Sequence, residues 1–151
     1  MRVPTWVKTG AAVTAAAAAG SIATSPSSAW YRTLRKPAWQ PPPAAFPAVW
    51  TPLYVLIAFA GARALDRGSG PSFARAYAVN LALNAGWTLV FFGARRPTAA
   101  LAEIAALNVS NALLLRRAAR ADRVAAAALA PYAAWTLFAT ALNTEIVRLN
   151  R

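Results

Sequence analysis

The sequence predicts an all-α integral membrane protein, a five-transmembrane-helix bundle with a long Pro/Trp-rich first loop. Three observations carry that expectation. Apolar residues make up 58% of the chain and charged residues only 13%, about half the charged share of an ordinary soluble protein. Apolar runs close to the roughly 20 residues that cross a bilayer recur at about 4–23, 46–65, 76–92, 97–115 and 124–147. The cations, which give a formal net charge of +12, sit in small clusters between those runs. That placement suits lipid headgroups and topology determination. At 151 residues the chain, 1–151, reads as a single membrane domain.

The first run is rich in alanine, from Ala15 to Ala19, and is interrupted by Lys8. With Arg2 and Lys8 at its start it imitates a signal peptide. It is nevertheless long enough to span, and no clean A-x-A site follows it, so a retained helix is expected. Its small residues Gly10, Thr14, Ala17 and Ser21 share a face at helical spacing, which predicts close packing through that face. Trp6 reads as an interfacial anchor. The connector that follows, Trp30 to Trp50, holds three tryptophans, five prolines and the cations Arg32, Arg35 and Lys36. The run Pro41–Pro43 lacks backbone donors and is expected to be polyproline II. So long a connector between membrane helices suggests a lid over a site.

The second span tolerates Pro52 in its first turns, and the third ends at Gly93. The fourth starts at Pro97, a favourable first-turn residue, and ends at Arg116-Arg117. For the fifth, Asp122 is the expected N-cap and Pro131 an expected kink. Five spans put the termini on opposite sides. Nine cations then lie on the amino-terminal side and seven on the other, a lean towards a cytoplasmic amino terminus.

Several function classes are disfavoured. The chain has no cysteine and no histidine, which removes disulfides, thiolate chemistry and the commonest metal and haem ligand. Four carboxylates, Asp66, Glu103, Asp122 and Glu145, are too few for a metal cage or an acid–base pair; no metal site, obligatory cofactor or conventional catalytic residue is expected. No nucleic-acid-binding motif accompanies the charge. A small multidrug-type exporter would call for a carboxylate in the first helix and an even helix count.

Candidate site residues fall on three stripes. In the third span Asn80, Asn84, Trp87 and Phe91 share one face. Amides facing lipid are costly, so this face looks inward, either towards a ligand or as interhelical hydrogen-bond glue. In the second span Trp50, Tyr54, Ile57 and Gly61 align, and in the fifth Trp135, Ala139, Leu142 and Ile146. Trp50 and Trp135 share faces with small residues and read as walls of an internal aromatic slot. Glu103, about two turns into the fourth span, is expected to be structurally paired.

At this point the chain resembles the TspO/MBR family, the tryptophan-rich sensory proteins and mitochondrial translocator proteins. The resemblance is carried by Trp30-Tyr31-x-x-Leu34-x-Lys36-Pro37-x-Trp39-x-Pro41-Pro42, by Phe46-x-x-Val49-Trp50-x-x-Leu53-Tyr54, by Leu81-Ala82-Leu83-Asn84-x-x-Trp87 with Phe91-Phe92-Gly93-Ala94-Arg95, and by Pro131-Tyr132-x-Ala134-Trp135-x-x-Phe138-Ala139-x-x-Leu142-Asn143. It implies a five-helix bundle in a membrane, usually homodimeric, with a pocket near one end under the first loop. It implies protoporphyrin IX and other hydrophobic small molecules as ligands, with a sensing or translocating role and, as the alternative, light- and oxygen-dependent porphyrin breakdown involving Trp50 and Trp135. Carried onto this sequence, the pocket takes Trp50 and Trp135 as walls, Tyr31 and Trp39 from the lid, Asn84 as a polar contact and Ala139 as a small residue admitting the ligand. Two positions depart from the pattern: Thr144 stands where a sterol-recognition aromatic would, and Ala99 where some relatives have tryptophan. A bacterial cell membrane is the expected location. Arg32, Arg35 and Lys36 are expected to meet a porphyrin's propionates.

Overall fold

The structure, a computed structural model describing residues 1–151, is wholly helical. Its elements are α1 (Thr5–Ala23), α2 (Ala29–Thr33), α3 (Ala45–Asp66), α4 (Gly70–Thr88) continued by a π-helical turn (Leu89–Gly93), α5 (Pro97–Ala121) and α6 (Arg123–Leu149). Four helical stretches are long and apolar enough to cross a membrane: α3, α4 with its π turn, α5 and α6. The expected count of five is therefore not met on length and composition. The 19 residues of α1 fall short, because alanine is only weakly apolar and Lys8, threonine and glycine dilute it.

Helix ends follow local chemistry. α5 does not stop at the Arg116-Arg117 pair but runs on to Ala121, since arginine is a good helix former and both side chains can reach the surface. It is succeeded at once by α6, with Asp122 alone between them; the Asp122 carboxylate accepts the Ala125 N–H at 3.0 Å, a true N-cap. α4 begins at Gly70, well before residue 76, after a turn in which Gly68 and Gly70 both take positive φ. α6 is unbroken through Pro131. The first loop is not all extended, because Ser28 accepts the Tyr31 N–H and nucleates the single-turn α2.

α3 packs on α6 and α1, α4 on α1 and α5, and α5 on α6. The main core runs through Leu53, Ile57 and Ala60 of α3, Phe73, Tyr77 and Leu81 of α4, Leu107 and Leu114 of α5, and Leu129 and Tyr132 of α6. α3 and α4 meet tightly at one point, where Gly61 faces Tyr77. A Cβ on Gly61 would stand 2.5 Å from the Tyr77 ring, whose hydroxyl donates to the Ile57 carbonyl at 2.8 Å. α1 packs through Thr9, Val13 and Gly20 rather than through the Gly10–Thr14–Ala17–Ser21 face; Thr14 and Ser21 are exposed. The register is set by Thr9, whose hydroxyl donates to the Ala58 carbonyl at 3.0 Å, and by Gly20 lying against Thr88.

The two ends of the bundle are fastened differently. At one, Arg63 of α3 and Arg67 just beyond its end both reach Asp122, at 2.9 and 3.6 Å. The Arg63 guanidinium, hydrogen-bonded to this carboxyl, holds it below the usual carboxylate range, with the Ala125 N–H adding to the effect. At the other end a second core of Phe91, Ala100, Leu142 and Ile146 meets Trp30, Tyr31 and Leu34 of the lid. There the Asn150 amide pairs with the Arg35 backbone, accepting its N–H at 2.9 Å and donating to its carbonyl at 2.8 Å.

Candidate functional site

Beneath that lid lies a cavity of about 480 Å³, enclosed by the end of α1, the lid, the first turns of α3, the end of α4 with its π turn, Ile104 and Leu107 of α5, and the second half of α6. It brings together Tyr31, Trp50, Tyr54, Asn84, Trp87, Trp135, Ala139 and Leu142. All of these are sequence-predicted site residues. Trp39 does not line it; it stands half-exposed, edge-on to Phe138 at 5.9 Å.

The aromatic walls are mutually braced. Trp50 stacks on Tyr54 at 5.3 Å and meets Trp135 edge-to-face at 6.5 Å, while Trp135 stacks on Phe138 at 5.1 Å. Opposite them, Trp87 stacks on Phe91 at 5.0 Å. Its indole N–H donates to Asn143 Oδ1 at 3.0 Å, and Asn143 in turn donates to the Pro97 carbonyl at 3.0 Å. This anchors the ring's edge in protein and leaves its face to the slot. The π turn presents the consecutive Phe91 and Phe92 to the same cavity. A widened turn is a common device at functional sites, and it closes through the Ala94 N–H to the Leu89 carbonyl at 2.8 Å.

The polar face of the third-span stripe looks inward, as interhelical hydrogen-bond glue at Asn80 and at the cavity wall at Asn84. Asn80 is interhelical glue, donating to Ser110 at 3.0 Å and to Asn111 at 2.7 Å. Asn84 donates to the Tyr132 hydroxyl at 3.0 Å and also lines the cavity. Glu103 departs from expectation. Neither carboxylate oxygen has a hydrogen-bond partner, because the surface of α4 it meets is Gly86, which carries no side chain to donate.

The lid cations do not act as a set. Lys36 donates to the carbonyls of Tyr31 and Leu34, at 2.6 and 3.1 Å, and lies 4.3 Å from the Tyr31 ring centre. It therefore caps the end of α2, and desolvation holds its ammonium below the ordinary lysine value. Burial raises the Tyr31 hydroxyl above its ordinary value, offset in part by its hydrogen bond with Gln40. Arg32 and Arg35 are exposed. None of the three cations lines the cavity.

Sequence reasoning missed the contribution of α1 and its linker, Gly20, Ser21, Thr24 and Pro26, and that of Thr136 on α6. Small residues on a helix give no sign of whether they face a neighbour or a void. Thr136 could have been found, since it stands one residue beyond Trp135 and one turn before Ala139 and Thr140.

Four helices long and apolar enough to cross a membrane, and an aromatic-walled slot under a Pro/Trp-rich lid, define the class as an integral membrane protein with an internal cavity. The comparisons specify it: residues 9–149 match the model of the TspO/MBR family, and the chain belongs to that family. It is 39% identical over 137 residues to the tryptophan-rich protein TspO of Chlorobaculum tepidum, covering 87% of each chain. It is 41% identical over 122 residues to the tryptophan-rich sensory protein of Cereibacter sphaeroides, covering 80% of this chain and 77% of that one. To the human translocator protein it is 36% identical over 129 residues, 80% of this chain and 75% of the relative.

Proposed function

We propose that the protein is a five-span membrane receptor for protoporphyrin IX and similar flat hydrophobic molecules, held in the cavity under the lid and read out as a sensing or translocating signal in a bacterial cell membrane. The observation that carries the reading is the cavity itself: about 480 Å³ walled by Trp50, Tyr54, Trp87, Phe91 and Trp135. Flat aromatic faces set edge-to-face and offset favour a large π-system over an aliphatic chain. With no histidine in the chain, a metal-free tetrapyrrole suits the site better than haem. In this reading α1 is the fifth span, its weak apolarity offset by packing on α3 and α4, and the protein is a homodimer. Porphyrin breakdown in light is the alternative use of the same pocket, with Trp50 and Trp135 next to the bound ring.

The test is titration of purified protein with protoporphyrin IX, following tryptophan fluorescence in the dark. Saturable quenching that a tetrapyrrole panel competes away is the expected result; linear, non-saturating quenching overturns the reading. Illumination under oxygen then separates the two uses, since only the enzyme would release a defined product over several turnovers.

A further inference from the structure

A chain of buried polar groups begins at Thr136 in the cavity wall, runs through residues that do not line the cavity and returns to the wall at Asn84. Thr136 donates its one hydroxyl proton to the Ala133 carbonyl at 2.9 Å. Towards Asn111 it can then only accept, and it receives the Asn111 amide N–H at 2.9 Å. That turns Asn111 Oδ1 towards Asn80, which donates to it at 2.7 Å and to Ser110 at 3.0 Å. Asn80 Oδ1 is left to accept, and the Tyr132 hydroxyl donates to it at 3.0 Å. With its single proton so used, the Tyr132 oxygen accepts the Asn84 N–H at 3.0 Å. Each link leaves the next group one choice of polarity. The last group, Asn84, lines the cavity, and its carbonyl oxygen receives no hydrogen bond from the protein.

We propose that this chain, Thr136–Asn111–Asn80–Tyr132, fixes the Asn84 amide with its carbonyl towards the ligand, so that among flat apolar molecules the site selects those carrying an N–H or O–H donor. Asn80, Asn111 and Tyr132 are positioning residues; all three are buried and none lines the cavity. A free asparagine would turn its amide to suit a donor or an acceptor. Asn84 cannot turn without leaving Tyr132 facing a second oxygen, or reversing the amides behind it and breaking the Thr136 bond to Ala133. In an apolar surrounding an unmatched polar group is costly, and the surface of the slot around Asn84 is mostly apolar. This inference rests on the cavity being the ligand site proposed above.

The experiment uses the full chain in detergent and three tricyclic probes of nearly one shape: carbazole, which has an N–H donor; fluorene, which has neither donor nor acceptor; and 9-fluorenone, which has only an acceptor. Affinities are measured by isothermal titration calorimetry. The expected wild-type order is carbazole tightest, by about fivefold over fluorene, a factor typical of one neutral hydrogen bond, with fluorenone no tighter than fluorene. Tyr132→Phe and Asn111→Leu release the Asn84 amide, so the carbazole-to-fluorenone ratio falls towards one in both. Ser110→Ala removes a neighbouring bond but leaves the order of donors intact, so it keeps the wild-type ratio. Equal affinities for carbazole and fluorenone in the wild type, or a wild-type ratio surviving in both chain-breaking variants, overturn the inference while leaving the pocket standing. Failure of all three probes to bind, or to be displaced by protoporphyrin IX, overturns the ligand site itself and the inference with it.

Discussion

At the scale of single residues, the two tryptophans that meet edge-to-face make different demands on the fold. Trp50 and Trp135 are only partly buried, so each holds a ring face available to a ligand while its far side is packed. Replacing either by phenylalanine keeps an aromatic in place but removes stacking area. Trp135→Phe and Trp50→Phe are therefore each expected to weaken protoporphyrin binding by about 0.5–1.5 kcal/mol, the range of an aromatic pair beyond simple burial. The measurement is the quench titration, with unchanged helicity by circular dichroism as the fold control. Unaltered affinity in both would take these residues out of the site. Ala139 lies one turn beyond Trp135 and lines the same cavity, so a β-branched polar side chain there narrows the slot. Ala139→Thr is expected to reduce affinity for bulky ligands by about 1–3 kcal/mol, the usual cost of overpacking, with melting temperature little changed. Wild-type affinity across large and small ligands alike would show that the slot has room to spare. The aromatic half of this site was legible because tryptophans at helical spacing with small residues announce a cavity wall. The wiring behind it was not. Asn80 and Asn84 differ in role only through their partners Asn111 and Tyr132, which lie about 31 and 48 residues further along the chain and carry no local pattern linking them.

Among the elements, the lid shows how far a sequence pattern reaches. Its prolines and tryptophans announce a structured connector, but α2 forms because Ser28 caps it and Lys36 closes its far end, and these are details of a single turn. Lys36 is tied to those carbonyls, so of the three lid cations Arg32 and Arg35 are the ones whose exposed side chains could turn to a ligand carboxylate. If they do, protoporphyrin dimethyl ester binds wild-type protein more weakly than the free acid, and the double variant Arg32→Gln/Arg35→Gln removes the difference. Lys36→Met, by contrast, is expected to loosen the lid and lower affinity for acid and ester equally. Acid and ester binding the wild type equally would assign the arginines to headgroups alone. At the opposite end Asp122 joins α3 to α6. Because Arg63 depresses its pKa, the stabilisation it contributes is fully present above the unfolded-state value of about 3.9 and is lost as pH falls through the lower folded value. Asp122→Asn keeps a good N-cap but abolishes the charge. The melting temperatures of wild type and variant should therefore differ at pH 6 and converge as the pH is lowered below about 4. A constant gap down to pH 3 would mean that only the cap matters. The rotated face of α1 belongs to this scale as well, since every face of an alanine-rich helix looks alike until Thr9 and Gly20 find their partners.

For the whole molecule, the decisive question is whether α1 crosses the bilayer with the other four helices. Its composition alone does not qualify it, yet it packs along both α3 and α4. At its far end Gly20 touches Thr88, next to the π turn and the lid. At its near end Lys8 and Arg2 precede the level at which Thr9 meets Ala58, towards the end of the bundle held by Asp122. Helices that alternate in direction then put Arg2 and Arg120 at one end, and Arg32 and Arg151 at the other. All four side chains are exposed, and the chain has no cysteine of its own, so each can be replaced singly by cysteine without background labelling. With a membrane-impermeant maleimide on sealed right-side-out vesicles, Arg2→Cys and Arg120→Cys are expected to behave alike, and Arg32→Cys and Arg151→Cys to behave in the opposite way. A four-span protein with α1 lying on the surface gives a different result, in which Arg2→Cys labels together with Arg32→Cys. The positive-inside count, nine cations against seven, adds that the protected pair should be Arg2 and Arg120, placing the lid and its cavity on the outer face. Labelling of Arg2→Cys and Arg120→Cys from outside would invert that orientation while keeping five spans, so one set of four variants decides both the helix count and the side from which a ligand meets the lid.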